Sequence, residues 1–198
     1  LVSGVVLRPE PKYYVGKASS KVKQKEIISD LLKYVPRPVI IYTTKIKDAE
    51  NIYNQIKKDN FSNTSLFHGK TNTKERSEII KKWSENQTDF IIATSAFGVG
   101  VDKSNIRTVI HATVPETLDR FYQEVGRGGR DGKSSISILI YTDEDLSVAE
   151  NIASDNRSTT AGFENAFLRW KSMLGKSTQE MINENIYLSL NINAPGPE

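Results

Sequence analysis

A doubly wound α/β fold, with a mainly parallel sheet and helices on both of its faces, is the class this sequence predicts. Three observations carry the expectation. Short continuous apolar runs recur along the chain: Val39-Ile40-Ile41-Tyr42, Phe90-Ile91-Ile92-Ala93 and Thr108-Val109-Ile110. Stretches with apolar residues at helical spacing separate most of them. Strands apolar on both sides belong to sheets covered on both faces, and helical crossovers make such strands parallel.

The elements follow in chain order. Pro36 and Pro38 precede the β-branched run 39–42, which reads as a buried strand. Ile46, Ala49, Ile52, Tyr53 and Ile56 recur at helical spacing. Ser65-Leu66-Phe67 is a short strand. Asn72 followed by Glu75 has the form of a helix start, and Ile79, Ile80 and Trp83 supply that helix's buried face. The runs at 90–93 and 108–110 are strands. Leu118, Phe121, Tyr122 and Val125 mark another helix, stopped at Gly126. Ile136, Ile138, Leu139, Ile140 and Tyr141 make the last strand of a domain that spans residues 1–142. From 143 the pattern changes. Asp143 opens an acidic helix with Val148, Ile152 and Ala153 along one side. Ala166, Phe167, Trp170 and Leu174 give a second helical face, and Met181, Ile182 and Ile186 a third. Residues 143–190 are therefore expected to form a helical extension, and 191–198, ending in Asn-Ala-Pro-Gly-Pro-Glu, a linker or disordered tail.

Composition narrows the chemistry. Among 198 residues there is no cysteine, which excludes disulfides, thiolate zinc sites, iron–sulfur clusters and a cysteine nucleophile. Two histidines, His68 and His111, are too few for a histidine-rich metal site, and no metal site is expected. No apolar run approaches the roughly 18–20 residues needed to span a bilayer, so no membrane partner is expected. The first residues, LVSGVVLRPE, lack a Met start and a signal-peptide layout. They read as the cut edge of a larger protein, and a cytoplasmic location is expected. The net charge of +3 is mild. Lys17, Lys21, Lys23 and Lys25 form a local basic cluster, open to two interpretations: a solvated helix start or a phosphate contact.

The stretch richest in chemistry is Gln123-Glu124-Val125-Gly126-Arg127-Gly128-Gly129-Arg130-Asp131-Gly132. A helix delivers two arginines into a glycine-rich turn that permits close backbone approach. Two guanidinium forks three residues apart can serve different oxygens of one polyphosphate. A second stretch, Ala93-Thr94-Ser95-Ala96-Phe97-Gly98-Val99-Gly100-Val101-Asp102-Lys103, ends a buried strand in hydroxyls, then a Gly-x-Gly turn, then an acid. It lacks the third glycine and early position of a dinucleotide fingerprint. The chain contains no G-x-x-x-x-G-K-[ST], so it cannot form the usual triphosphate cradle by itself. Ligands of open α/β sheets sit beyond the carboxyl ends of the strands. That rule picks out Thr43-Thr44-Lys45, His68-Gly69, Thr94-Ser95 and His111-Ala112-Thr113.

Four segments in order carry a family resemblance: PVIIYTTKIKDAE at 38–50, LFHGKTNTKER at 66–76, DFIIATSAFGVGVDKSNIRTVIH at 89–111 and FYQEVGRGGRDG at 121–132. They resemble motif IV, the His-Gly motif after it, motif V and motif VI of the second RecA-like domain of superfamily 2 helicases, specifically the RecQ-like group. The resemblance covers roughly residues 8–142, and it implies a strand at 13–15 with a basic helix before it.

The resemblance implies a RecA-like fold and one wall of an ATP site. The other wall, with the Walker A loop and the Mg-binding acids, belongs to an upstream RecA-like domain. It implies that Arg130 is the arginine finger on the γ-phosphate, that Arg127 is a supporting phosphate contact, and that Gln123 positions the attacking water or the arginines. Gly98 and Gly100 would let the motif V loop lie close to the nucleotide. Asp102 would partner either the ribose hydroxyl or a motif VI arginine. Thr44, Lys45, His68, Gly69, Thr94 and Ser95 match positions that touch a single nucleic-acid strand, with DNA favoured over RNA. His68 is equally open to being a loop histidine bonded within its own domain. His111 reads as structural, and Arg76 as a structural ion pair with a nearby acid.

The sequence departs from the family at three places. Gly128 stands where RecQ-like motif VI usually has Ala, which should loosen the turn. Ile46 stands where motif IV usually ends in a polar or basic residue. No cysteine-bound zinc module follows. Two functions remain open at this point: the C-terminal motor half of an ATP-dependent helicase or translocase, and a degenerate nucleic-acid-binding module that keeps only the fold.

Overall fold

The computed structural model describes residues 11–98, 103–155, 178–182 and 185–189. Strands β1 (Pro11–Lys17), β2 (Val39–Tyr42), β3 (Thr64–Phe67), β4 (Phe90–Ala93), β5 (Thr108–His111) and β6 (Ser135–Tyr141) form the parallel part of one sheet, in the order β3-β4-β2-β5-β6-β1. β2, β4 and β5 are buried at every position, which explains their unbroken apolar runs.

Helices α1 (Lys21–Leu31) and α2 (Ile46–Lys58) cover one face. Ile28, Ala49, Ile52 and Ile56, with Leu32 just beyond α1, pack there on Val39, Ile41, Ile92, Ile110 and Ile140. The opposite face takes α3 (Thr73–Ser84), α4 (Leu118–Val125) and α5 (Asp143–Asp155). Ile79 and Trp83 of α3 meet Ile40, Ile91 and Val109; Phe121 and Val125 of α4, with Ala149 of α5, meet Val15, Leu139 and Tyr141. Alternate residues of each strand thus serve opposite faces, as a period of two requires. The basic helix follows the first strand instead of preceding it.

α1 is tied to the carboxyl end of the sheet by a buried polar junction. The Gln24 amide donates to Ile140 O at 2.7 Å, Ala112 O at 3.2 Å and Asp145 Oδ2 at 3.2 Å. Asp145 also accepts from the Thr142 amide and hydroxyl at 2.9 and 2.8 Å, and pairs with Lys21 at 2.5 Å. Lys17 pairs with Asp143 and Lys23 with Glu26. Three of the four cations in the early basic cluster therefore have carboxylate partners within the domain, which favours the solvated-helix interpretation.

One expectation for the extension needs correction. Residues 143–155 are helical, but Met181, Ile182 and Ile186 lie on strands. β7 (Thr178–Ile182) pairs antiparallel with β8 (Asn185–Ser189), and β8 adds antiparallel to the outer edge of β1, matching Val15 with Leu188. The β-branched and aromatic residues of Asn-Ile-Tyr-Leu-Ser suit a strand, and the open edge of β1 offers it a ladder of backbone partners. The helical face expected at 166–174 and the linker at 191–198 lie outside the described residues.

Candidate functional site

The arginine-bearing turn begins on α4. Thr117 caps this helix by accepting from the Arg120 amide at 3.0 Å, and the buried Phe121 and Val125 hold one side of it against the sheet. Gln123 faces outward and is exposed. The helix unwinds through amide bonds from Gly126 to Tyr122 O (2.8 Å), Arg127 to Glu124 O (3.2 Å) and Gly128 to Val125 O (2.9 Å). The chain then docks on the segment before β5: the Gly129 amide donates to Ile106 O at 2.9 Å and the Asp131 amide to Ser104 O at 3.2 Å.

Gly129 has φ +64°, and a Cβ there would stand 2.6 Å from Lys133 O, so only glycine fits. At Gly128 a Cβ would meet Ser135 Oγ at 3.0 Å. The Gly128 backbone is also bridged to Ile106. The turn at Gly128 is thus packed, where the glycine was expected to loosen it. Arg107 completes the clamp. It pairs with Asp131, whose carboxyl it holds below the usual aspartate range.

Arg127 is half-buried, and its Nη2 donates to the Gly98 carbonyl oxygen at 2.6 Å. The arginine turn and the loop after β4 therefore meet through one side chain. Beside them the buried Tyr42 hydroxyl donates to Phe97 O at 3.3 Å. Burial pushes this phenol strongly upward, and the neighbouring Arg127 guanidinium opposes the shift. Arg130 is exposed, with its Nε donating to Gly126 O at 3.1 Å. Gly98 lies at the meeting point, whereas Gly100 and Asp102 lie outside the described residues. The return of the loop is anchored by Lys103. Its buried ammonium donates to Trp83 O at 2.8 Å and Asn86 Oδ1 at 2.6 Å, and burial lowers its pKa.

The six candidate strand-contacting residues gather elsewhere, along the carboxyl ends of β2, β3 and β4. Bonds from the Thr43 amide to Ala93 O (2.9 Å) and from the Thr94 amide to Phe67 O (3.2 Å) continue the ladder into their loops. Thr44 Oγ1 lies 3.0 Å from Thr113 Oγ1, after β5. Thr94 is buried, whereas Ser95 is exposed. Lys45 faces Glu144 at 3.3 Å across an exposed gap.

His68 is held within its own domain. Its amide donates to Thr71 Oγ1, its Nδ1 accepts from the Lys70 amide at 3.2 Å, and its Nε2 lies 4.0 Å from Glu50. Among the described residues Arg76 has no ion pair; it donates to Thr71 O and Gly69 O, both at 2.8 Å, and so shapes the His-Gly loop through backbone carbonyls. The arginine turn leads into the amino end of β6, so the carboxyl-end rule does not find it. Arg107, Tyr42, Glu124 and Lys103 lie inside the motif segments at 38–50, 89–111 and 121–132, yet the sequence assigns none of them a role. Only Glu124 carries a signal, an acid on the apolar side of an amphipathic helix.

The helicase conserved C-terminal domain family matches residues 23–132, from α1 through the arginine turn. This chain belongs to that family. The chain is 37% identical over 147 residues to the probable ATP-dependent DNA helicase RecS of Bacillus subtilis (strain 168), covering 74% of this chain and 30% of that protein. It is 39% identical over 109 residues to the ATP-dependent DNA helicase RecQ of the same organism, covering 55% of this chain and 18% of RecQ. Among solved structures, the E. coli DEAD-box protein SrmB, bound to regulator of ribonuclease activity A, superposes with a TM-score of 0.64. That match has 19% identity and covers 75% of this chain and 86% of that one. The fold is that of the second RecA-like domain of superfamily 2 helicases, and the sequence places the domain in the RecQ-like group. The chain spans less than a third of either Bacillus relative. Among the described residues no helix is long and apolar enough to cross a membrane.

Proposed function

We propose that this domain is the C-terminal motor half of an ATP-dependent RecQ-like DNA helicase or translocase. The observation that carries the proposal is the 2.6 Å bond from Arg127 to Gly98, which joins the arginine turn to the loop leaving β4. A turn that admits only glycine at position 129 and holds two arginines on a docked backbone is built to present positive charge at a fixed place. That chemistry fits a nucleoside triphosphate, although the chain supplies only one wall of such a site. An upstream RecA-like domain supplies the phosphate cradle and the Mg ligands. ATP bound between the two domains supplies the phosphoryl group whose release drives movement.

In this arrangement the exposed Arg130 acts as the finger that neutralises charge developing on the γ-phosphate, and Arg127 orients the turn while adding a phosphate contact. Gln123, exposed on α4 just before the turn, positions the attacking water or the arginines. Gly98 and Gly100 keep the loop backbone close to the nucleotide, and Asp102 holds the ribose or an arginine. Thr44, Lys45, His68, Gly69, Thr94 and Ser95 line the edge that follows a single strand, DNA in preference to RNA, by phosphate contacts that carry no base information. The names of the two Bacillus relatives, both ATP-dependent DNA helicases, support this choice. A cytoplasmic location goes with it.

The test is Arg130→Ala in the protein that carries this domain together with its upstream domain. An arginine finger is worth ~10³–10⁵ in rate, so ATP hydrolysis should be abolished while single-strand binding is largely retained. Unchanged turnover would overturn the finger assignment.

A further inference from the structure

Gln123 and Glu124 are neighbours with opposite fates. Gln123 is exposed, whereas Glu124 is only 8% exposed and packed on the sheet side of α4. A buried carboxylate is costly unless it is paired and hydrogen-bonded. Among the described residues Glu124 has two partners. His111 Nε2, at the carboxyl end of β5, lies 2.9 Å from its Oε2, and Arg120 Nε donates to its Oε1 at 3.3 Å. Arg120 in turn pairs with Glu116. His111 is fully buried, stacked on Tyr42 with ring centroids 5.5 Å apart and 5.1 Å from Phe121. The backbone carbonyl of Glu124 accepts the Arg127 amide, the first bond of the arginine turn.

We infer that Glu124 and His111 are a positioning pair for Arg127. Phe121 and Val125 hold the eight-residue α4 to the sheet, and the bond from β5 to Glu124 is a polar tie three residues before Arg127. That tie sets where the turn begins and whether Arg127 reaches Gly98. The same strand end carries Ala112 and Thr113, and Thr113 meets Thr44 at 3.0 Å. The pair thus also joins the strand-contacting edge to the arginine turn. This inference rests on the proposed role of Arg127.

Glu124→Gln keeps size and one acceptor but removes the charge. The measurement is ATP turnover, ATP KM, single-strand affinity and melting temperature for the protein containing both motor domains, with Glu124→Gln made alone and on Arg127→Ala. A misplacement of about 1 Å can cost ~100-fold in rate. The single variant should lose 10- to 100-fold in kcat, with melting temperature and strand affinity near those of the parent. On Arg127→Ala it should cost nothing further, because groups acting as a unit are not additive. A slow Arg127→Ala enzyme slowed again by Glu124→Gln overturns the positioning role alone. A normal Arg127→Ala enzyme overturns the assignment of Arg127 and this role with it. Should Glu124→Gln melt early, His111→Gln preserves a donor toward Glu124 and should keep most of the turnover, whereas His111→Leu should lose at least 10-fold. Equal turnover in those two variants also overturns the inference.

Discussion

Arg127 donates from Nη2 to the Gly98 carbonyl oxygen at 2.6 Å, joining residues 29 positions apart in sequence. The contact links the turn after α4 to the loop after β4. Nothing larger than glycine sits comfortably beneath it, since a Cβ at position 98 would stand 3.1 Å from Arg127 Nη2.

Gly98→Ala should therefore separate stability from activity. The crowded atom is the end of a flexible side chain, so it can move at little cost to the fold. Melting temperature should change by no more than a few degrees. ATP turnover of the two-domain protein should fall by up to about 10-fold, because Arg127 must shift by a few tenths of an ångström where a full ~1 Å misplacement costs ~100-fold. A large drop in melting temperature would show instead that Gly98 serves the fold.

Gly129→Ala and Gly132→Ala differ in mechanism. Gly132 has φ +77° and open space around it, so alanine there pays only the left-handed backbone cost of about 1–2 kcal/mol. Gly129 has φ +64° and adds a clash 2.6 Å from the Lys133 carbonyl oxygen, which cannot move without disturbing the entry to β6. Urea unfolding should rank Gly129→Ala as clearly the more destabilising of the two.

The pairing of Asp131 with Arg107 gives a signed pH dependence. The hydrogen bond from Arg107 lowers the Asp131 pKa in the folded state. Its contribution is fully present above the ordinary aspartate range and is lost as pH falls through the lowered folded value. Parent and Asp131→Asn should differ in stability at neutral pH, with a constant gap down to the ordinary range. The gap should close only in more acid solution, as read from urea midpoints against pH.

Much of this architecture is legible in the residues themselves. β2, β4 and β5 announce themselves because burial on both faces demands unbroken apolar runs. The arginine turn is visible because glycine and arginine rarely alternate without a backbone or ligand reason. The limits are equally physical. Met181, Ile182 and Ile186 fit a helix face or a strand equally well, and the open edge of β1 decides between them. Arg76 chooses carbonyl oxygens of the His-Gly loop over nearby acids, and backbone acceptors leave no trace in a side-chain pattern. Glu124 falls on the apolar side of its helix and Gln123 does not, but only packing against β5 shows that the partner of Glu124 is a buried histidine. Lys103 lies past a glycine loop like any surface lysine, yet the end of α3 captures it.

The most direct test of the central claim is ATP hydrolysis by the protein carrying this domain and its upstream partner, with single-stranded DNA, RNA, duplex DNA or no polymer. A motor half built around Arg127 and Arg130 predicts turnover that a single strand stimulates, with DNA stimulating more than RNA or duplex. A folded protein that hydrolyses no ATP under any of these conditions would contradict it and leave a nucleic-acid-binding module that has kept only the motor's fold.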